Sequence, residues 1–197
     1  MGGQNSSLRE SRRRLGLTQG QVAELLATSQ ANVSAYERGR LSPGRLVNER
    51  IDAFTALESD SVYARYSAST IPALAAQIRT DLAEGRSESD MLRAVIQASD
   101  DFARLSDPAD RAFFLTEPSP TGSRRWDALI AGLAVHLCRV GQMETAPMWT
   151  TDPSFTLHDM WFVDSDAPTM RAQLMQQAIP SMRARGVIVS RRNLESV

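Results

Sequence analysis

Gln30, Ala31, Asn32 and Ser34 fall within five consecutive positions of this chain. All are short and uncharged, and three of the four carry hydrogen-bonding groups. Exposed at the start of a helix, such a set suits the edges of base pairs in a major groove. A carboxamide can bond N6 and N7 of one adenine together, and a methyl such as that of Ala31 can meet the methyl of thymine. The bland alternative is an ordinary antiparallel helix pair in a bundle. It leaves unexplained why Gln30, Asn32 and Ser34 gather at one end with arginines flanking them.

Two short helices joined by a tight turn would position these side chains. Thr18 can cap the first, whose inward face is Val22, Leu25 and Leu26. Ser29 can cap the second, whose inward face is Val33 and Tyr36 and which stops at Gly39. Ala23 is small enough to let the two cross closely. A further helix over 45–57 turns Leu46, Val47, Ile51 and Phe54 inward.

The run Leu17-Thr18-Gln19, the small Ala23, the apolar Leu25 and Leu26, and the ending Tyr36-Glu37-Arg38-Gly39 resemble the Xre/Cro-type helix-turn-helix domains of lambdoid phage repressors. The likeness extends upstream over 8–16 and downstream to about Leu57. It implies a λ-repressor-like helical bundle over 1–58 that reads a double-stranded DNA operator, and symmetry makes a homodimer the expected state for a domain that reads one half-site. Carried over residue by residue, it implies base contacts from Gln30, Ala31 and Asn32, to which the exposed Ser34 is added. Gln19, Ser29, Arg38 and Arg40 become contacts to the DNA backbone, and Arg12 with Glu37 becomes a structural ion pair. Two departures stand out. Ala27 occupies the turn position where relatives carry Gly, and a left-handed Ala costs about 1–2 kcal/mol. Ala31 stands where relatives often carry a longer reader, so no relative's operator preference transfers.

Charge supports the division of labour. The net charge of −1 over 197 residues hides eight Arg against four acids in 1–50, and fourteen Arg against nineteen acids beyond. The basic footprint thus sits where nucleic acid would be met. All 22 basic residues are Arg, which reads most simply as a GC-rich coding genome. No apolar run approaches the ~20 residues of a membrane span, and the first residues lack a signal-peptide core. Met1-Gly2 with Ser6 fits a myristoylation pattern only superficially. A single Cys138 suits a reducing compartment, so a cytoplasmic location with no membrane partner is expected.

The serine-rich stretch 59–70 reads as a linker to a larger, mostly helical domain over 71–197 that oligomerises or binds a partner. Stripes at Ile71, Leu74 and Ile78, and at Met91, Val95, Ala98 and Phe102, mark two helices. Asp107-Pro108 opens a short one. Trp126, Leu129, Ile130, Leu133 and Leu137 mark the strongest, closed by Gly141. Pro168 opens a further helix carrying Met170, Leu174, Met175 and Ala178, and Pro180 breaks it. A little β structure is expected near the end, at Val187, Ile188 and Val189. His136 and Cys138, two apart on a helix, do not share a face, and His158-Asp159 lacks a third partner. No phosphate-cradling glycine loop, Cys-x-x-Cys or nucleophile elbow is present. The expectation is therefore no enzyme, no metal and no cofactor.

The segments 120–129, 161–163 and 185–195 are also similar to those of a group of actinobacterial Xre proteins, often encoded beside a nucleotidyltransferase-like toxin. That resemblance implies an antitoxin that represses its own operon and neutralises the toxin. The partner-binding candidates are then Trp149, Trp161, Phe162, Arg185, Val187, Ile188, Val189, Arg191 and Arg192. The apolar run 187–189 either adds as a strand to the toxin or folds back on 161–163. The alternatives are a free-standing repressor whose C-terminal domain dimerises or senses a small molecule, and an adaptor that kept the fold without binding DNA.

Overall fold

The computed structural model describes residues 3–66, 68–163 and 171–190, with side chains from Ser7 onward. It is mainly α-helical, and its one sheet among the described residues is a pair of two-residue strands. Two compact units are present, Met1–Ala73 with Arg104–Ser119, and Leu74–Ala103 with Pro120–Val197.

The first unit contains α1 (Gly3–Arg14), α2 (Gln19–Leu25), α3 (Gln30–Glu37), α4 (Arg45–Thr55), α5 (Val62–Arg65) and α8 (Pro108–Phe114). Leu8, Leu26, Val33, Phe54, Tyr63 and Phe113 meet in its core. Phe113 is fully buried, with ring centroids 5.7 Å from Phe54 and 5.0 Å from Tyr63. The unit is therefore discontinuous in sequence, unlike the expected division at 58 and 71. The stretch expected as a linker is packed: Ser61, Tyr63, Ala68 and Thr70 are buried. Buried Asp110 organises it, accepting from the Ser61 hydroxyl at 2.6 Å and from the Val62 amide at 3.0 Å, next to the start of α5.

The turn between α2 and α3 closes through two bonds, from the Thr28 amide to the Ala23 carbonyl at 2.9 Å and from the Ala27 amide to the Glu24 carbonyl at 3.0 Å. This geometry requires a left-handed residue at Ala27, and its φ is +51°. Replacing Ala27 by Gly should relieve about 1–2 kcal/mol of strain against about 0.4–1 kcal/mol of added chain entropy in the unfolded state. A melting temperature raised by a few degrees is the expected result. A lowered one would show that the alanine is unstrained.

The second unit takes in most of α6 (Ile71–Ala83), with α7 (Glu88–Ala103) and α9 (Arg124–Val140). From Ala128 to Ala134 every residue of α9 is buried, as expected of a helix wrapped by its own domain. The Thr121 amide and hydroxyl both donate to Asp127 at 2.8 Å, which fixes the entry into α9. At its other end Gly141 is not the left-handed stop. Its φ is −75°, and a Cβ there would stand 3.0 Å from the Phe102 ring. Glycine serves close packing at 141, and Gln142 takes the positive φ of +54°.

Beyond α9 come single 3-10 turns at Met148–Thr151 and Pro153–Phe155, then β1 (Trp161–Phe162), α10 (Arg171–Gln177), α11 (Pro180–Arg183) and β2 (Val187–Ile188). The helix expected from Pro168 is described from Arg171; Pro168 and Met170 lie outside the described residues. Pro180 ends nothing by itself; it opens α11 at the first helical position, where its missing N–H costs little. β2 pairs in parallel with β1, Trp161 opposite Val187 and Phe162 opposite Ile188. An isolated antiparallel bridge joins Ala178 to Ser190.

α11 lies directly on α9. A Cβ on Gly132 would stand 2.8 Å from Met182 Cγ and 2.9 Å from Met182 Cα. A backbone atom cannot swing aside as a side-chain tip can. Gly132→Ala should therefore destabilise the second unit by about 1–3 kcal/mol, although alanine is favoured by roughly 1 kcal/mol in a helix interior. A melting temperature equal to or above that of the parent would show that α11 does not seat there.

Candidate nucleic-acid interface

The helix pair is built by local bonds. The Thr18 hydroxyl accepts from the Gln21 amide at 3.2 Å, and the Gln21 side chain accepts from the Thr18 amide at 2.9 Å, a reciprocal capping box. Ser29 caps α3 by accepting from the Asn32 amide at 3.1 Å. Asn32 Nδ2 in turn donates to the Thr28 hydroxyl at 3.1 Å. α3 ends with Gly39 at φ +65°, its amide bonded to the Tyr36 carbonyl at 3.0 Å. Val33 and Tyr36 are buried, Gln30 and Ala31 are exposed, and Asn32 and Ser34 are half-buried. Arg38 and Arg40 are exposed.

Arg12 and Glu37 meet bidentately: Nε donates to Oε1 at 2.6 Å and Nη2 to Oε2 at 3.1 Å. The side chains are 15% and 3% exposed. Burial alone would push the Glu37 carboxyl up. Hydrogen bonds from Arg12 and Gln19, with the charges of Arg12 and Arg9, outweigh it and hold the group below the usual carboxylate range. Gln19 Nε2 donates to Glu37 at 2.9 Å, so one of its two N–H groups is already committed.

Four residues that sequence reasoning passed over secure helices of the first unit. Arg50 is fully buried and donates to the Leu26 carbonyl at 3.0 Å, the Glu117 carbonyl at 2.9 Å and the Ser119 hydroxyl at 3.2 Å. Thr70 donates to the Leu25 carbonyl at 3.0 Å. Together they satisfy backbone acceptors at the end of α2, just before the turn. Arg14 donates to the carbonyls of Leu57 at 2.7 Å and Thr55 at 3.1 Å, at the end of α4. Thr28 holds Asn32. Only Arg50 left a trace in the sequence, a cation on the inward stripe of Val47, Ile51 and Phe54.

The partner-binding candidates fall in the second unit. Trp161 is buried, edge-on to Trp126 with ring centroids 5.2 Å apart, and the Arg125 guanidinium lies 5.9 Å from its ring. Phe162 is half-buried with the Arg171 guanidinium 5.0 Å from its ring. Trp149 packs edge-on against Phe155 at 5.6 Å. Arg185 is half-buried and donates to the Thr150 carbonyl. Desolvation lowers its pKa. Val187, Ile188 and Val189 are at most 1% exposed. The Trp161 amide donates to the Gly186 carbonyl at 2.8 Å, the Val163 amide to Ile188 at 3.0 Å and the Ile179 amide to Val189 at 3.0 Å. Of the two arrangements weighed for 187–189, the structure has the run folded back on 161–163, and this corrects its use as partner-binding surface: its apolar side chains are buried inside its own domain. Arg191 and Arg192 lie outside the described residues.

His136 is half-buried and Cys138 buried, and burial pushes the Cys138 thiol up. No group of three or more His, Cys, Asp or Glu placed to hold a metal occurs among the described residues. No helix among them is long and apolar enough to cross a membrane.

No curated protein and no solved structure matches the chain. Residues 6–62 match the family model of a helix-turn-helix domain. The matched span takes in most of α1 and all of α2 to α4, with Ser29 capping α3 at the head of Gln30, Ala31 and Asn32. The N-terminal part of this chain is thus similar to helix-turn-helix domains, in sequence over 6–62 and in its pair of capped helices.

Proposed function

We propose that the chain is a sequence-specific DNA-binding regulator of transcription that inserts α3 into the major groove as its recognition helix. The observation that carries this reading is the first turn of α3. Gln30 and Ala31 stand exposed on a helix whose N-terminus is capped, and Asn32 is already held at the same end. Gln30, Ala31, Asn32 and Ser34 are the base-contacting set. Gln19 keeps a second N–H for a phosphate, the Ser29 hydroxyl can donate to another, and Arg38 and Arg40 supply charge along the backbone. A homodimer on an inverted repeat, with half-sites about 34–36 Å apart, is the arrangement that suits one such helix per subunit.

The test is binding to duplexes enriched from a random library. Gln30→Ala and Asn32→Ala should each weaken binding by about 1–3 kcal/mol and relax one or two base positions. The melting temperature should change little. Unchanged affinity in both variants would remove α3 from the groove.

The finer reading is an antitoxin that represses its own operon and covers a toxin with its second unit. Its support is the similarity of 120–129, 161–163 and 185–195 to antitoxin-like Xre proteins. Met148 and Met160, 86% and 57% exposed, add adaptable contact surface in that unit. Co-expression with the neighbouring gene decides it: protection of the cell and co-purification support it, and growth arrest despite a folded chain rejects it.

A further inference from the structure

We propose that Arg12 has a second role beside its structural one: it neutralises Glu37 so that a DNA phosphate can approach Gln19. The proposal rests on the reading of Gln19 as a contact to the DNA backbone. It adds the residue that makes such a contact possible beside a carboxylate.

Gln19 and Glu37 are joined by a bond from Nε2 to Oε2 at 2.9 Å. Which end of a carboxamide faces its partner is settled when that partner is a carboxylate. Glu37 is held below the usual carboxylate range, so at neutral pH it is ionised and can only accept. The amide nitrogen of Gln19 therefore faces Glu37, and one of its two N–H groups remains. A phosphodiester likewise only accepts. A phosphate bonded to the Gln19 side chain must then share that one nitrogen with Glu37. Two oxygens bonded to the two N–H groups of a planar nitrogen stand about 5 Å apart.

Two like charges at about 5 Å weaken binding roughly fourfold even in bulk water, and more where one of them is buried. The Glu37 side chain is 3% exposed. Arg12 supplies the opposing charge at the oxygens concerned. Its Nε donates to Oε1 at 2.6 Å, and its Nη2 donates at 3.1 Å to Oε2, the oxygen that also takes Gln19. Its Nη1 donates to the Leu17 carbonyl at 3.0 Å, so each nitrogen of the guanidinium has a partner within the domain. Arg12 thus acts on a phosphate through Glu37, and its contribution depends on that carboxylate being charged.

A double-mutant cycle on the full-length protein tests this, with affinity for the selected duplex measured below the melting transition of every variant. Arg12→Met should bind about tenfold more weakly, and Arg12→Lys, which keeps the charge, should stay near the parent. Adding Glu37→Gln to Arg12→Met removes the uncompensated charge and leaves Gln19 an acceptor, so most of the lost affinity should return. A purely structural ion pair predicts no such recovery, because the double variant is no better paired than the single one. Arg12→Gln serves in place of the methionine if that variant does not fold. Full affinity in Arg12→Met, or a double variant as weak as Arg12→Met alone, overturns the neutralising role. A Gln19→Ala variant with parental affinity, alongside a weakened Gln30→Ala, overturns this proposal and leaves the DNA reading standing. A parent protein that enriches no sequence overturns both together.

Discussion

Replacing Arg50 by Met should destabilise the first unit by about 3–5 kcal/mol, as three hydrogen bonds from a charged group are lost at once. The methionine fills the space of the arginine stem, so the loss is one of polar pairing and not of packing. The carbonyls of Leu26 and Glu117 and the Ser119 hydroxyl lose their donor. A buried acceptor left unpaired costs about 1–3 kcal/mol, against a total stability of about 5–15 kcal/mol for a typical domain. The chain offers a way to see this directly. All three tyrosines lie in the first unit and all three tryptophans in the second. Urea titration followed by tyrosine signal should show a lowered midpoint, with a smaller change in tryptophan fluorescence. Equal midpoints in parent and variant by tyrosine signal would show that Arg50 contributes no net pairing energy.

Arg12→Met should cost about 2–4 kcal/mol, somewhat under the range for a fully buried pair, because Arg12 keeps 15% of its side chain in water. Its pH dependence distinguishes it from a simple loss of packing. In the parent, the folded pKa of Glu37 lies below its ordinary value of 4.5. The corresponding stability is present above that value and is lost as pH falls through the folded pKa. Without Arg12 its two hydrogen bonds are gone, and burial, which alone pushes the carboxyl up, is opposed mainly by the single bond from Gln19. The variant then has least to lose on acidification. The gap in melting temperature between parent and variant should be widest near neutral pH and should narrow as pH drops through the carboxylate range. A gap that stays constant with pH would show that Arg12 acts through its stem, not through its charge on Glu37.

The charge pattern and the spacing of caps, apolar stripes and stop signals determined the two helices and turn that carry Gln30, Ala31, Asn32 and Ser34. Each of those features is local: Thr18 and Ser29 bond amides three residues away, and Gly39 or Ala27 needs only its own φ. Periodicity likewise located α9, because a helix buried all round leaves an unbroken apolar run. The tertiary structure decided everything that depends on a partner far along the chain. Phe113 completes the core of the first unit, Asp110 folds the stretch read as a linker, and Arg50 and Thr70 take up the last carbonyls of α2. An arginine, an aspartate and a threonine look alike in sequence whether solvated or buried, since burial is fixed by what packs over them. The short run 187–189 read correctly as β-like, but the choice between 161–163 and a partner protein as its mate stayed open. A strand of that length carries no register of its own; its mate is the strand that brings Trp161 against Trp126 in the second unit.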